Sequence, residues 1–235
     1  MKRFVTQTAD LSDWQPDAEY PLPEDVAHHV IHVMRMGAGD TLELMDRAQH
    51  LVSAKINREG NVVCLSHTQC TASQRRFSIH LGVALIKWPR FEWMLEKVAE
   101  IGIARLTPLC CERSVIKVQD WSHKSERLQK IITEAARQSL NPIPPELCEP
   151  QKIQAFVTQG SRNHCYFAHL GDYPRLEDVA SGFDGEVRFI VGPEGGFSPE
   201  EVAYLSDHAT PISLGAHVLR AETAAIACAM TQVFF

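Results

Sequence analysis

The chain has 235 residues, 45% of them hydrophobic, and 23 Lys and Arg against 29 Asp and Glu give a formal net charge of −6. That length supports one or two domains with a sizeable core, and the acidic balance excludes a protein that coats nucleic acid by its overall field. The charge is uneven, with −4 over residues 1–74, +5 over 75–130 and −7 over 131–235. A nucleic-acid partner would therefore meet a basic middle segment, although Lys and Arg coating two amphipathic helices explain the same count and are the plainer reading.

From the N-terminus, "MKRFVTQTADLSDW" carries two early cations and no apolar run of signal-peptide type. No later stretch has membrane-spanning length, so a soluble, cytoplasmic protein is expected. A helix is expected across "PEDVAHHVIHVMRM". The short, partly alternating runs "DTLELMD", "LVSAKIN" and "NVVCLSHT" follow as strands, separated by the turn signals "GAGD" and "REGN". Residues 1–70 thus read as a small barrel-like β module. His28 and His32 have the i, i+4 spacing of a metal pair, but no third ligand is near and no metal is expected. Met34 and Met36 read as core or interface filler.

"CTASQRRFS" looks like a polar joint, and from Phe77 the texture changes, giving a second domain over 76–235. "FSIHLGVALI" reads as a strand, "RFEWMLEKVAEIG" as a helix closed by Gly102, and "IARLTPLCC" as a strand. "SHKSERLQKIITEAARQS" reads as a long helix with Ser122 as its N-cap. "HCYFAHL" and "VRFIVG" are further strands, so strands alternating with helices imply α/β architecture with a covered parallel sheet. Trp93 is expected in the core, whereas Trp88 and Trp121 flank the basic segment and have the chemistry to stack on bases. The seven Cys form no C-x-x-C pair, and Cys165 sits in a strand-like run, so reduced thiols are expected rather than disulfides or zinc.

Two glycine-bearing loops close the chain. In "VRFIVGPEGGFSPEE", Ser198 suits an N-cap, Pro199 the first helical position and Glu201 a capping box. Gly192, Gly195 and Gly196 would permit positive φ and close ligand approach. A phosphate ligand is excluded, because no G-x-x-x-x-G-K-[ST] is present and Glu194, Glu200 and Glu201 crowd the helix start; a neutral or cationic ligand fits better. A tight turn with no ligand is the alternative. In "PISLGAHVLRAETAAIACAM", Gly215 leaves a strand and an Ala-rich helix begins beside Arg220, Glu222 and Thr223. Ligands of open α/β sheets sit at the C-terminal ends of strands, where both loops lie.

"FIVGPEGGFSPEE" followed by "LGAHVLRAETAAIA" closely resembles the RsmE family of 16S rRNA uracil-N3 methyltransferases of the SPOUT superfamily. "MKRF" and "HHVIHVMRMGAGD" resemble that family's PUA-like RNA-binding barrel, and "LIKWPRFEWMLEKVAEIGIARLTPLCCERSV" its first catalytic βαβ unit. The resemblance implies a C-terminal trefoil knot over about 165–235, which ordinary topology rules would not predict. It implies S-adenosylmethionine held by the knot loops, a homodimer with its site at the subunit interface, and 16S rRNA in the assembled small subunit as partner. The cofactor contacts it implies are Leu170, Gly192, Pro193, Glu194, Gly195, Gly196, Leu214, Gly215, His217, Val218, Leu219 and Thr223. RNA contacts are expected from Arg3, Arg35, Lys87, Arg90 and Arg113. Arg220 is expected to stabilise charge on the uracil, with Glu222 holding that Arg or accepting the N3 proton. The structural alternative is that Arg220 pairs with Glu194 or Glu222 and only holds the knot in shape. His217 stands where the family usually has a basic residue, and Leu140-Asn141 where it commonly has Gly-Arg. Ribose-methylating siblings carry a Ser-Leu-Asn type motif in place of Leu-Arg-Ala-Glu-Thr; such an enzyme, or a non-catalytic rRNA-binding assembly factor, is the alternative function.

Overall fold

The computed structural model describes residues 1–70, 76–117, 121–159 and 164–235. The chain divides into two compact units, Met1–Gln74 with Ala136–Ile143, and Arg75–Ala135 with Pro144–Phe235. Most of the polar joint expected at 70–78 lies outside the described residues.

In the first unit β1 (Lys2–Val5), β2 (Glu19–Tyr20), β3 (Thr41–Met45), β4 (His50–Ile56) and β5 (Val62–Gln69) form one sheet in the order β1-β3-β4-β5-β2. β1 runs parallel to β3 and the other pairs are antiparallel. Side chains alternate across a strand, so Leu42 and Leu44, Val52, Ala54 and Ile56, and Val62 and Cys64 all reach one core, which Leu11 and Trp14 also fill. The single helix expected over 23–36 is shorter. α1 (Glu24–His28) passes into a π-helical turn, His29–Val33, and Arg35 then takes φ +52°. The widened turn keeps Val26 and Val30 inward, and the reversal at Arg35 carries Met36 into the same core.

The β6 (Phe77–Ala84), β7 (Arg105–Cys110), β8 (Glu146–Leu147), β9 (Gln151–Lys152), β10 (Cys165–Ala168), β11 (Gly185–Val191) and β12 (Thr210–Ile212) strands build the second sheet. Its order is β12-β10-β11-β6-β7-β8, with β9 also on β7, and every pairing is parallel. The parallel sheet expected from alternating elements is thus present. The short pieces β8, β9, α4 (Ile153–Val157) and α5 (Leu176–Ala180) had no sequence signal long enough to read. Phe77, Ile79, Leu81 and Val83 of β6 face a cluster shared with α2 (Trp88–Ile101), α3 (Trp121–Gln138) and α7 (Ala221–Phe234). Ala84 of β6, Ile190 of β11 and Phe167 of β10 face the other layer, made by α4 and α6 (Pro199–His208). Gly82 must be glycine there, because a Cβ would sit 2.8 Å from the Phe156 ring.

Gly102 closes α2 at φ +89° as expected, its N–H donating to Val98. Trp93 corrects the sequence reading. It is 49% exposed, because Phe91, Met94, Leu95 and Val98 form the buried stripe of α2 and position 93 points away from it. Ser122 falls inside α3 rather than before it, and 118–120 lie outside the described residues. At the other end of α3 the N–H of Asn141 donates to Ala136 (2.8 Å) and that of Leu140 to Arg137 (3.2 Å), a Schellman closure with Leu140 at φ +56°. Leu140→Gly is expected to relieve the left-handed strain and raise stability by roughly 0.5–1 kcal/mol, less the backbone freedom glycine adds to the unfolded chain, as read by urea midpoint at constant slope.

Arg188, His80 and Thr107 carry polar side chains buried on the α4 face of the sheet. Arg188 donates to the Phe156 and Val157 carbonyls at the end of α4, at 2.7 and 3.1 Å. His80 bonds Thr107 Oγ1 through Nε2 at 2.7 Å. Burial, with help from Arg105 and Arg188, pushes its pKa down from 6.5 to about 3. Glu186 lies 4.0 Å from His80 Nδ1, but its carboxylate is bonded to Arg105 and does not hold a proton on the ring. A depressed histidine pKa means the unfolded chain takes up a proton as pH falls below 6.5 while the folded one does not. Folding should therefore lose about 2 kcal/mol from this group between pH 7 and 5, and a His80→Gln variant should show a flatter pH dependence in denaturant titrations.

Candidate active site

Because the strands of the second sheet run parallel, their C-terminal ends share one edge, and every loop leaving that edge can meet its neighbours. That edge collects the loop after β10 with Leu170, the first glycine loop (192–198) after β11, the second glycine loop (213–220) after β12, and the starts of the segments after β6 and β7. The loops after β10 and β12 are bonded together. His169 N donates to Ile212 O at 3.0 Å, Ser213 N to Pro174 O at 2.9 Å, and Leu176 N to Ser213 O at 3.0 Å. Leu170 and Val218 stand out from this group, 67% and 75% exposed.

The local design expected for the first glycine loop is present. Ser198 caps α6, Pro199 opens it, and Ser198 and Glu201 exchange side-chain-to-backbone bonds. Its glycines differ from expectation. Only Gly196 takes positive φ, at +68°. Gly192 is tight for another reason, since a Cβ would come within 3.0 Å of the Phe197 ring, and at Gly195 it would meet Arg113 Cβ at 3.4 Å. Glu201 does not crowd a ligand either. Its Oε2 accepts from Ser198 N and its Oε1 from Glu112 N at 2.8 Å, which ties α6 to the segment after β7. Arg113 of that segment donates to Gly195 O at 3.2 Å.

In the second glycine loop Gly215 takes φ +125° with open space where a Cβ would stand. Leu214 and Leu219 pack against the core, while His217 and Thr223 are exposed. Arg220 is the N-cap residue of α7, exposed, and among the described residues no carboxylate pairs with it. The pairing with Glu194 or Glu222 weighed from sequence falls to Arg90 instead. Arg90 Nη1 lies 3.7 Å from Glu194 Oε1, and its Nε lies 3.8 Å from Glu222 Oε1. Glu222 sits in the first turn of α7 with its side chain 8% exposed, and its buried Oε2 has no hydrogen-bond partner among the described residues.

The other expected RNA contacts are placed as follows. Lys87 is the exposed N-cap residue of α2. Arg3 is bonded to Glu43 at 2.9 Å. Arg35 lines an open cavity of about 340 Å³ in the first unit, with Met1, Lys2, Met34, Met36, Asp40 and Thr41. Within the basic segment Lys97 pairs with Glu96 and Glu100, Arg105 with Glu186 and Arg127 with Glu92, while Lys124 stacks over Trp88. With Arg90, Lys97, Arg105 and Arg127 make four cations of the segment that pair with carboxylates among the described residues. His28 and His32 bring their rings 5.1 Å apart. Asp10, Asp46 and His50, which the sequence did not single out, bring ligand atoms within 4.8 Å of one another. Asp46 is consumed there by Leu11 N, His50 N and His50 Nδ1, which is how a β3–β4 turn is held rather than how an open metal site looks. All seven cysteines are free, and burial raises the Cys165 thiol to about 11.

Residues 73–232 match the RNA methyltransferase domain family, and residues 22–61 the RNA methyltransferase PUA domain family. The chain is 30% identical over 219 residues to ribosomal RNA small subunit methyltransferase E of Rickettsia conorii, covering 88% of this chain and 85% of that protein. It is 28% identical over 222 residues to the Bacillus subtilis protein of the same name, covering 87% and 86%. A Legionella pneumophila methyltransferase solved with bound cofactor SAM superimposes at a TM-score of 0.79 with 30% identity, covering 98% of this chain and 96% of that one. A matched catalytic domain, a matched PUA domain and this full-length likeness to a named relative agree: the chain belongs to the ribosomal RNA small subunit methyltransferase E family.

Proposed function

We propose that this protein transfers the methyl group of S-adenosylmethionine to N3 of a uridine in the 16S rRNA of the assembled small ribosomal subunit, as a cytoplasmic homodimer. The observation that carries the reading is the arrangement at the sheet edge, where Arg220, with no carboxylate partner among the described residues, and a buried Glu222 stand at the start of one helix. The residues fit the cofactor. Gly196 and Gly215 leave open space beside the backbone, and Leu170 and Val218 offer apolar surface for an adenosine. Glu194 and Glu222 stand beside the two glycine loops with Arg90 between them, which places carboxylates where a sulfonium would be favoured and a phosphate opposed.

When bound, S-adenosylmethionine supplies an electrophilic methyl group. The protein's part is to bring N3 in line and to make it nucleophilic. Arg220, permanently charged, donates to a uracil carbonyl and stabilises the negative charge that develops as N3 loses its proton. Glu222 accepts that proton. Cations of the first unit, Arg3 and Arg35, with Lys87 and Arg113 of the second, position the RNA backbone. No helix among the described residues is long and apolar enough to cross a membrane.

Two structural features belong to the same proposal. The segment from about 165 to 235 is read as a trefoil knot, supported by the mutual bonding of the loops after β10 and β12. The dimer is read from α7, whose outward positions Ala227, Met230, Val233 and Phe234 form an apolar stripe at helical spacing. The test of the function is to incubate the protein with labelled S-adenosylmethionine and small subunits lacking the modification, then digest the rRNA to nucleosides for mass spectrometry. N3-methyluridine is expected. A ribose-methylated nucleoside would move the protein to the sibling activity, and no transfer at all would make it an assembly factor.

A further inference from the structure

We propose that Arg90 is a positioning residue for the reaction, the cation that holds Glu222 and Glu194 between α2 and the two glycine loops, rather than a contact to RNA. The proposal rests on the proton-accepting role given to Glu222 above. A carboxylate with its side chain 8% exposed is costly to keep charged unless a cation or several donors answer it. Glu222 has the positive end of α7 behind it, one guanidinium at 3.8 Å, and an Oε2 with no hydrogen-bond partner among the described residues. Among the described residues Arg90 is the cation paired with it, and the same guanidinium reaches Glu194 of the first glycine loop at 3.7 Å.

The placement follows from packing. Phe91 and Leu95 of α2 are wholly buried against the core that α7 shares, so the backbone at Arg90 is fixed beside the start of α7. A planar guanidinium can serve two carboxylates from opposite edges, and here it joins a residue of each glycine loop's helix or turn to a third element. Two acids within 4 Å leave Arg90 little charge to offer a phosphate. They also relieve Arg220 of a structural duty, which leaves that residue open toward the substrate. Both contacts are longer than hydrogen bonds, so charge matters here more than fork geometry, and lysine should substitute in part.

The test is a double-mutant cycle of Arg90→Met and Glu222→Gln, with Arg90→Lys as the conservative variant. Methylation kinetics on small subunits, salt dependence of subunit binding and thermal unfolding are read together. Arg90→Met is expected to lower kcat about 30-fold with KM for subunits changed less than about twofold and the salt slope unchanged. In the Glu222→Gln background the same substitution should cost less than about twofold, because the route through the Glu222 carboxylate is already closed. Arg90→Lys should recover to within about fivefold of the parent. A rise in KM with a shallower salt slope and intact kcat would make Arg90 an RNA contact and overturn the proposal. Additive losses in the cycle would overturn it as well. Should Arg90→Met fail to fold, the cycle is run with Arg90→Lys, whose smaller loss must again vanish beside Glu222→Gln. Thermal unfolding separates this proposal from the functional reading. Non-additive melting shifts with no N3-methyluridine from the parent protein would leave the ion pair standing and sink the function. N3-methyluridine from the parent with additive behaviour in both measurements would do the reverse.

Discussion

Arg220→Ala is expected to lower turnover about a hundredfold, roughly 3 kcal/mol in the barrier, while fold, assembly and cofactor affinity stay near those of the parent. The expectation rests on where the residue is and on what it does not touch. Arg220 precedes α7 as its N-cap, exposed, with its carbonyl accepting from Ala224 at 2.8 Å and no carboxylate paired with its side chain among the described residues. A structural arginine would be tied to an acid, and the acids it might have held are held by Arg90. Arg220→Lys separates two modes of action. An oriented donor to a carbonyl needs the planar fork, so lysine should fail nearly as badly as alanine. If lysine restores nearly full turnover, charge alone suffices and the oriented-donor account is wrong. Loss of cofactor binding or of the dimer in Arg220→Ala, measured by calorimetry and sedimentation, would make the residue structural.

The second large effect is expected at α7. Met230→Glu combined with Phe234→Glu should turn a dimer into a monomer and abolish methylation, with the protomer still folded. Phe234 is 70% exposed and Val233 57%, and neither Met230 nor Phe234 belongs to the core clusters, so the substitutions cost the protomer little. The buried residues Ala221, Ala224, Ala225, Cys228 and Ala229 hold the opposite face of the helix against α2 and the sheet. A helix apolar on all sides needs cover on all sides. Burying two unpaired carboxylates in such a contact costs several kcal/mol, enough to weaken association by more than about a thousandfold. Sedimentation velocity with circular dichroism reads the result. A folded, dimeric double variant would place the interface elsewhere.

Signals that act over a few residues were legible. Ser198, Pro199 and Glu201 specify a helix start because cap, first position and capping box are neighbours in sequence, and the structure forms all three. Gly102 closes α2 because only the local backbone decides a left-handed cap. Alternation in "FSIHLGVA" gave a strand, and the pairing of α/β elements gave a parallel sheet. Trp93 could have been read correctly from the same helix period, since Phe91, Met94, Leu95 and Val98 already mark the buried stripe. The π turn after His28 could not, because it arises from the need to bring Met36 back to a core that strands far along the chain complete.

The sequence by itself determined the secondary structure of the long elements, the sheet type, and the two glycine loops as the place to look, because capping, periodicity and turn chemistry are settled between residues close in the chain. Only the tertiary structure decided the partners. Arg90 and Glu222 are 132 positions apart, Glu112 and Glu201 meet across 89, and Gly192 is glycine because the Phe197 ring folds back over it. Ion pairing, burial of a charge and the space left beside a backbone depend on which segments the sheet brings to one edge, and no local pattern encodes that.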